Sequence, residues 1–315
     1  LSGLLHPLMV WTGPKAKAFF PPQTKLQAEQ LSAVNAILLE NAINQPEIVK
    51  VIAAENAPLL QVTNDKGMSR RYFDLDSKIE LTNHDLQQAK WLASYYSGLP
   101  QDKIVSVDLK TSFDSEYPWV NRLLPVYKVS YDTDDGLNVF VFTETNSLAS
   151  INNTWKSRVQ SLFGFIHTWN WLEDIESLRL IVMSCLLLCV LGLALSGLAL
   201  VFLFKKRKMK NKDRHWHRKL AANLLWLPLL MFAISGFYHL LQSSLGDNYR
   251  GLKVSKKIDL TQLSSFEKTH WQTQYQDIIL NGLSLVQLES GELAYRLSLP
   301  AARPGETLTS QQRFD

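Results

Sequence analysis

The chain has 315 residues, 46% of them apolar, with 33 Lys/Arg and 29 Asp/Glu for a formal net charge of +4. Nine of the basic residues fall in 205–219 (KKRKMKNKDRHWHRK) beside one acid, Asp213, so the rest holds 24 basic and 28 acidic residues; the excess is a topology signal and excludes a nucleic-acid partner. Both cysteines, Cys185 and Cys189, sit in an apolar run and there is no CxxCH, which excludes a disulfide framework and a covalently attached c-type haem.

In chain order, LSGLLHPLMVW reads as the last turns of a membrane helix, with Trp11 at the interface and Pro14 ending the pattern. The chain is thus read as a fragment lacking most of a first span and a last one. Residues 12–22 are a Pro-punctuated exit. Residues 24–44 place Leu26, Leu31, Val34, Ile37 and Leu38 at helical spacing. Short strands are expected at Ile48–Ala54, Leu59–Val62 and Arg71–Leu75. A helix follows in LTNHDLQQAKWLASYYSGLP, with Asn83 as N-cap, a face of Leu86, Ala89, Leu92 and Ala93, and a stop at Gly98-Leu99-Pro100. Three alternating strands come next: Ile104–Leu109, Val126–Tyr131 and Asn138–Thr143. The DTDDG between the last two reads as a solvated hairpin turn, not as a catalytic cluster of Asp132, Asp134 and Asp135. Residues 155–172 are helical and aromatic.

Two uncharged runs follow, 25 residues from Leu180 to Phe204 and 26 from Leu220 to Leu245. At about 1.5 Å per residue, either run can cross a hydrocarbon core roughly 30 Å thick. The basic stretch between them faces the cytoplasm by the positive-inside rule, which puts both flanking parts on the far side. Gly192 and Ser196 form a small-xxx-small pair for close helix approach. Cys185 and Cys189 read as packing residues, Pro228 as a kink and Asn223 as a shallow polar residue. No charged residue inside a span marks an ion path. Beyond the runs, strands are expected at Leu283–Leu288 and Glu292–Leu299 around a Ser290-Gly291 turn.

Five of the seven histidines fall at these boundaries: His6, His167 and His239 outside, His215 and His217 inside. Ser2-Gly3-Leu4-Leu5-His6 and Ser235-Gly236-Phe237-Tyr238-His239 share the form S-G-x-x-H, expected to close a helix outside, and Gly164–His167 is a weaker third instance. His217 and His239 are offset by about 40° and separated by roughly 33 Å on an ideal helix, which suits two sites, one per leaflet. Imidazole is a good axial ligand for haem iron, and helix bundles build cofactor sites from facing side chains. The plainer reading is that interfacial histidines snorkel, and His84 and His270 read as surface residues. A zinc site is disfavoured, because there is no HExxH and no ligand spacing.

RHWHRKLAANLLWLPLLMFAISGFYHLL resembles the PepSY-associated transmembrane family. Arg214 and His217 match its Arg-x-x-His-x-x-x-Gly opening, Ala221 stands where Gly is usual, and Ser235-Gly236 match its close. The stretch VYKVSY…NVFVFTETNSL is similar to the PepSY module, with Glu144-Thr145-Asn146 in place of the usual Asp-x-x-Thr-Gly turn; Asn also tolerates the left-handed conformation. The resemblance covers essentially the whole chain. It implies an α+β membrane protein, with transmembrane helices and exported domains of one helix plus antiparallel sheet. The implied segments are the end of a first span (1–13), a PepSY-like domain (14–177), a span (178–204), a cytoplasmic loop (205–218), a second span (219–245) and the start of a second PepSY-like copy (246–315). The location implied is the bacterial inner membrane, with the soluble domains in the periplasm. The function implied is that of a ferric-chelate reductase. Two b-type haems held through His239, His167, His217 and His6 would take electrons from a cytoplasmic or quinol donor and pass them to a ferric siderophore or similar chelate. No GxGxxG or flavin motif supplies a donor within the chain. The alternative is a non-enzymatic, membrane-anchored regulatory protein of the envelope.

Overall fold

The computed structural model describes residues 2–25, 27–65, 69–203, 216, 225–245, 257–261, 263, 279–288 and 290–299. The fold is mixed α+β, in two compact units. One groups Leu1–Gly3 with Ser161–Tyr249, the other Leu4–Gln160 with Arg250–Asp315. The division lies before the expected boundary at 177/178, because the turns leading out of helix α4 (Thr154–Phe163) pack on the helix that follows.

In the second unit, alternation sets up a five-stranded antiparallel sheet. Its strands are β2 (Ile48–Ile52), β3 (Leu59–Thr63), β4 (Arg71–Asp74), β10 (Gly282–Gln287) and β11 (Leu293–Ser298), in the order β11-β10-β2-β3-β4. Because side chains alternate across a strand, partners in register share a face. Val49 is opposite Val62 and Leu285, and Val51 is opposite Leu60 and Leu283. These residues form one apolar face that buries Val34, Ile37 and Leu38 of helix α2 (Ala28–Glu40). Residues 282–298, read as the opening of a second copy, instead complete this first sheet. Their turn is as expected, with Gly291 at φ +91. A two-stranded ribbon pairs β1 (Thr24–Lys25) with β9 (Ile279–Leu280).

The other sheet, β5 (Ile104–Lys110), β6 (Val126–Tyr131), β7 (Asn138–Phe142) and β8 (Ser147–Asn152), has the order β5-β6-β7-β8. Helix α3 (His84–Ser97) covers one face, packing Ala89, Leu92, Ala93 and Tyr96 on Tyr127, Val129, Val139 and Val141. The meander has a fourth strand that the alternation did not reveal, since SLASIN carries only two large apolar side chains. Asn83 precedes α3 as expected but is left-handed and makes no side-chain cap; Gly98 ends the helix in the left-handed conformation. The exposed Asp132, Asp134 and Asp135 lie in the hairpin turn, with Gly136 at φ +62.

The first unit is helical. After α4 come a π turn (Gly164–Thr168), a 3-10 turn (Asn170–Ile175) and α5 (Glu176–Leu203); α6 (Trp226–Leu245) packs on α5. Among the described residues one helix, at Glu176–Ala199, is by length and composition alone able to cross a membrane, while the apolar part of α6 is shorter, Trp226–Gln242. Pro228, expected to kink the span, is the third residue of α6. Asn223 lies outside the described residues.

Candidate functional site

The antiparallel packing of α5 and α6 is legible from their glycines. A Cβ on Gly236 would fall 2.6 Å from Leu187 Cδ2, and one on Gly197 would fall 3.2 Å from Trp226 Cβ. Level pairs therefore run 187 with 236 and 197 with 226, in opposite directions. Gly192 meets nothing within 4 Å and Ser196 is exposed, so the small-xxx-small pair is not part of this contact. Cys185 and Cys189 are likewise exposed on α5.

This pairing decides where the histidines go. His239 lies three residues beyond Gly236, toward the start of α5. His167 lies in the π turn that leads into that same end. The two therefore belong to one end of the helix pair, the end where α5 begins. Both side chains are exposed; the His167 ring stacks on Phe163 at 4.7 Å, and His239 meets Tyr238 edge-on at 5.7 Å. His6 is exposed on α1 (Ser2–Thr12), in the segment grouped with the other unit. His217 and His215 lie outside the described residues. The S-G-x-x-H sequences do not close their helices: α1 runs on to Thr12 and α6 to Leu245. No group of three or more His, Cys, Asp or Glu converges as a metal site among the described residues. Imidazole is the donor type that a b-type haem takes as axial ligand.

A second constellation lies in the α+β unit. Asp85, only 1% exposed, projects from the first turn of α3 toward the five-stranded sheet. Its Oδ1 accepts from Tyr72 Oη (2.7 Å) and Thr143 Oγ1 (2.7 Å), and its Oδ2 from the Arg70 backbone N–H (3.0 Å) and Tyr127 Oη (2.9 Å). The Arg70 guanidinium faces it at 3.7 Å and donates to Thr143 Oγ1 at 2.9 Å. Gln61 Nε2 donates to Tyr72 Oη and to the Thr143 carbonyl, tying β3 to the end of β7. Nearby, Gln88 and Asn146 both donate to the Ala53 carbonyl, and Tyr96 Oη donates to the Asn146 carbonyl. Glu144 stands between two cations, 3.6 Å from Arg70 Nη2 and 3.6 Å from Lys50 Nζ.

The electrostatics follow from burial. Loss of water raises the Tyr72 hydroxyl well above its ordinary value, with the neighbouring Asp85 charge adding to it. Burial lowers the Lys50 ammonium against the opposing pull of Glu144, and lowers the His84 imidazole. Four donors fill the roughly four lone-pair sites of the Asp85 carboxylate. It is placed to cross-tie the two sheets, not to take a proton from a substrate. The sequence did hold a signal for it. Asp85, Gln88, Ala89, Leu92, Ala93 and Tyr96 are the buried residues of α3 and keep strict helical spacing, with two polar residues where Leu86 was expected to lead.

No protein-family profile, curated protein or solved structure matches the chain.

Proposed function

We propose that the chain is a membrane-embedded haem protein that carries electrons to ferric iron held in a chelate on the extracytoplasmic side. The observation that carries this reading is the antiparallel pairing of α5 and α6, which assigns His239 and His167 to the same end of an apolar helix pair. On this reading His167 and His239 hold the outer haem, while His217 belongs to an inner one and His6 is a further candidate ligand. Phe163 steadies the His167 ring by stacking. The haem, when bound, supplies the one-electron couple, and its potential is set by ligand and burial. The basic stretch 205–219 faces a cytoplasmic or quinol donor, and the α+β unit lies in the periplasm.

The test is the absorbance of the purified chain, oxidised and then dithionite-reduced. The expected result is sharp reduced α and Soret bands that weaken in His239→Ala and His167→Ala and persist in His84→Ala. A flat spectrum from haem-replete cells overturns the reading. A second reading, a membrane-anchored interaction protein without catalysis, is favoured by one observation: the Asp85 carboxylate is fully engaged by donors.

A further inference from the structure

The face of the five-stranded sheet opposite α2 carries a polar row. Tyr72 is in register with Gln61, Gln61 with Lys50, Lys50 with Ser284, and Ser284 with Arg296. Partners in register point to one face, so one line of polar side chains crosses all five strands. It begins at the buried Asp85 carboxylate, where Tyr72 and Gln61 are fully buried. It passes through Lys50, with 14% of its side chain exposed, and ends at Arg296, which is exposed.

At that open end is a cleft of about 280 Å3. This is just under the roughly 300–1,000 Å3 of drug-sized sites, so it suits a small ligand. Lys50, Ser284 and Arg296 line it, with Glu144 on the side of the buried charges and Lys257 at its border. Residues 257–260 close one side by pairing back along the chain, Ile258 N–H to the Pro46 carbonyl and Leu260 N–H to the Asn44 carbonyl.

The charges around the cleft are uneven. Lys50, Lys257 and Arg296 oppose Glu47 and Glu144, and the Glu144 carboxylate is also shared with the buried Arg70. Lys50 donates to the Glu144 carbonyl at 3.2 Å but stands 3.6 Å from the carboxylate, beyond hydrogen-bond distance. Arg70 Nη2 and Glu144 Oε2 have no hydrogen-bond partner among the described residues. An ammonium with donors to spare is therefore held in a half-dry cleft, with a second cation two strands away. At about 4.8 Å per strand, Lys50 and Arg296 are roughly 10 Å apart at the backbone, with the Ser284 hydroxyl position between them.

We propose that this cleft binds a small oxyanion, a carboxylate or a phosphate, gripped by Lys50 and Arg296 across Ser284. Such a ligand would complete the hydrogen bonding of Lys50 and offset the burial that lowers its affinity for a proton. The inference does not depend on haem, since every residue in it belongs to the α+β unit.

The experiment is isothermal titration of the full chain in detergent, at fixed ionic strength, with inorganic phosphate in one arm and citrate in the other. Saturable one-to-one binding in either arm, weakened about tenfold or more by Arg296→Gln as expected for loss of a charge-assisted hydrogen bond, supports the site. The arm that binds identifies the oxyanion. Lys50→Met should weaken it as well, and Lys103→Gln, in an exposed turn that does not line the cleft, should leave it unchanged. Arg296 is exposed, so its variant keeps the fold even if the Lys50 variant does not. No saturable heat at millimolar ligand in both arms, or equal affinity in Arg296→Gln, overturns the proposal.

Discussion

A single carboxylate, Asp85, holds together donors from β4, β6, the end of β7 and the backbone before β4. Removing it takes the acceptor from three buried hydroxyls and the Arg70 backbone N–H, and leaves the buried Arg70 guanidinium with Glu144 as its one carboxylate among the described residues. Asp85→Ala should therefore destabilise the α+β unit by about 3–5 kcal/mol, the usual cost of breaking a buried pair from one side. Thermal unfolding of the solubilised chain measures it, and a loss below 1 kcal/mol, the range of an exposed pair, would show that the hub is solvated. His84, beside Asp85, gives a pH signature. Its ring packs 5.2 Å from Tyr72, and burial lowers its pKa from the ordinary value of 6.5. Below about 6.5 the unfolded chain takes up a proton that the folded chain refuses, so stability falls as pH drops from there toward the depressed folded value. The slope of stability against pH in that window should flatten in His84→Gln. An unchanged slope would place the titrating group elsewhere.

At the scale of the element, the turn between β7 and β8 shows what a local departure from a pattern can carry. Asn146 is left-handed at φ 53, as expected of Asn in that place. Its side chain is also buried and bonded to Ala53 and Gln88. Asn146→Gly keeps the backbone but loses these bonds, at a cost of roughly 1–3 kcal/mol; Asn146→Ala should cost about 1–2 kcal/mol more, through left-handed strain. Denaturant midpoints rank the two, and a Gly variant as stable as wild type would reduce Asn146 to a turn former. In the helical unit, Gly197→Leu should cost about 1–3 kcal/mol by overpacking against Trp226, and Gly192→Leu nothing. Reversed melting temperatures would mean that the helices meet on the other face. These elements mark how far the sequence could be read. Apolar periodicity located α2, α3 and most strands within a few residues, because burial of one face fixes it. It missed β8, whose small side chains carry little pattern, and the polar hub, whose partners are scattered from Gln61 to Thr143 and meet only across two sheets. It chose Gly192 over Gly197 for helix contact because spacing alone does not say which side of an all-apolar helix faces its neighbour.

At the scale of the whole molecule, the α+β unit is made of two stretches that flank the helix pair in the chain. Composition gave no hint of this, since a strand pattern names no partner. A chain stopped before residue 279 should leave the Ile48–Ile52 edge bare and strip Leu283 and Leu285 from the core around α2. Limited proteolysis should then cut within residues 44–75, sites protected in the full chain; equal protection would mean that the first stretch folds alone. The same pairing sets a clock on biosynthesis. Ile52 and its partner Gly282 are 230 residues apart. At the ribosomal rate of about 5–20 residues per second, the β2 edge waits on the order of 12–46 s for its neighbour to be made. Throughout that interval a nascent chain presents an unpaired strand edge that carries Val49 and Val51, an invitation to wrong pairing. Assembly is therefore paced by translation of the helix pair, and a holding chaperone that recognises extended apolar segments is the helper such a chain calls for.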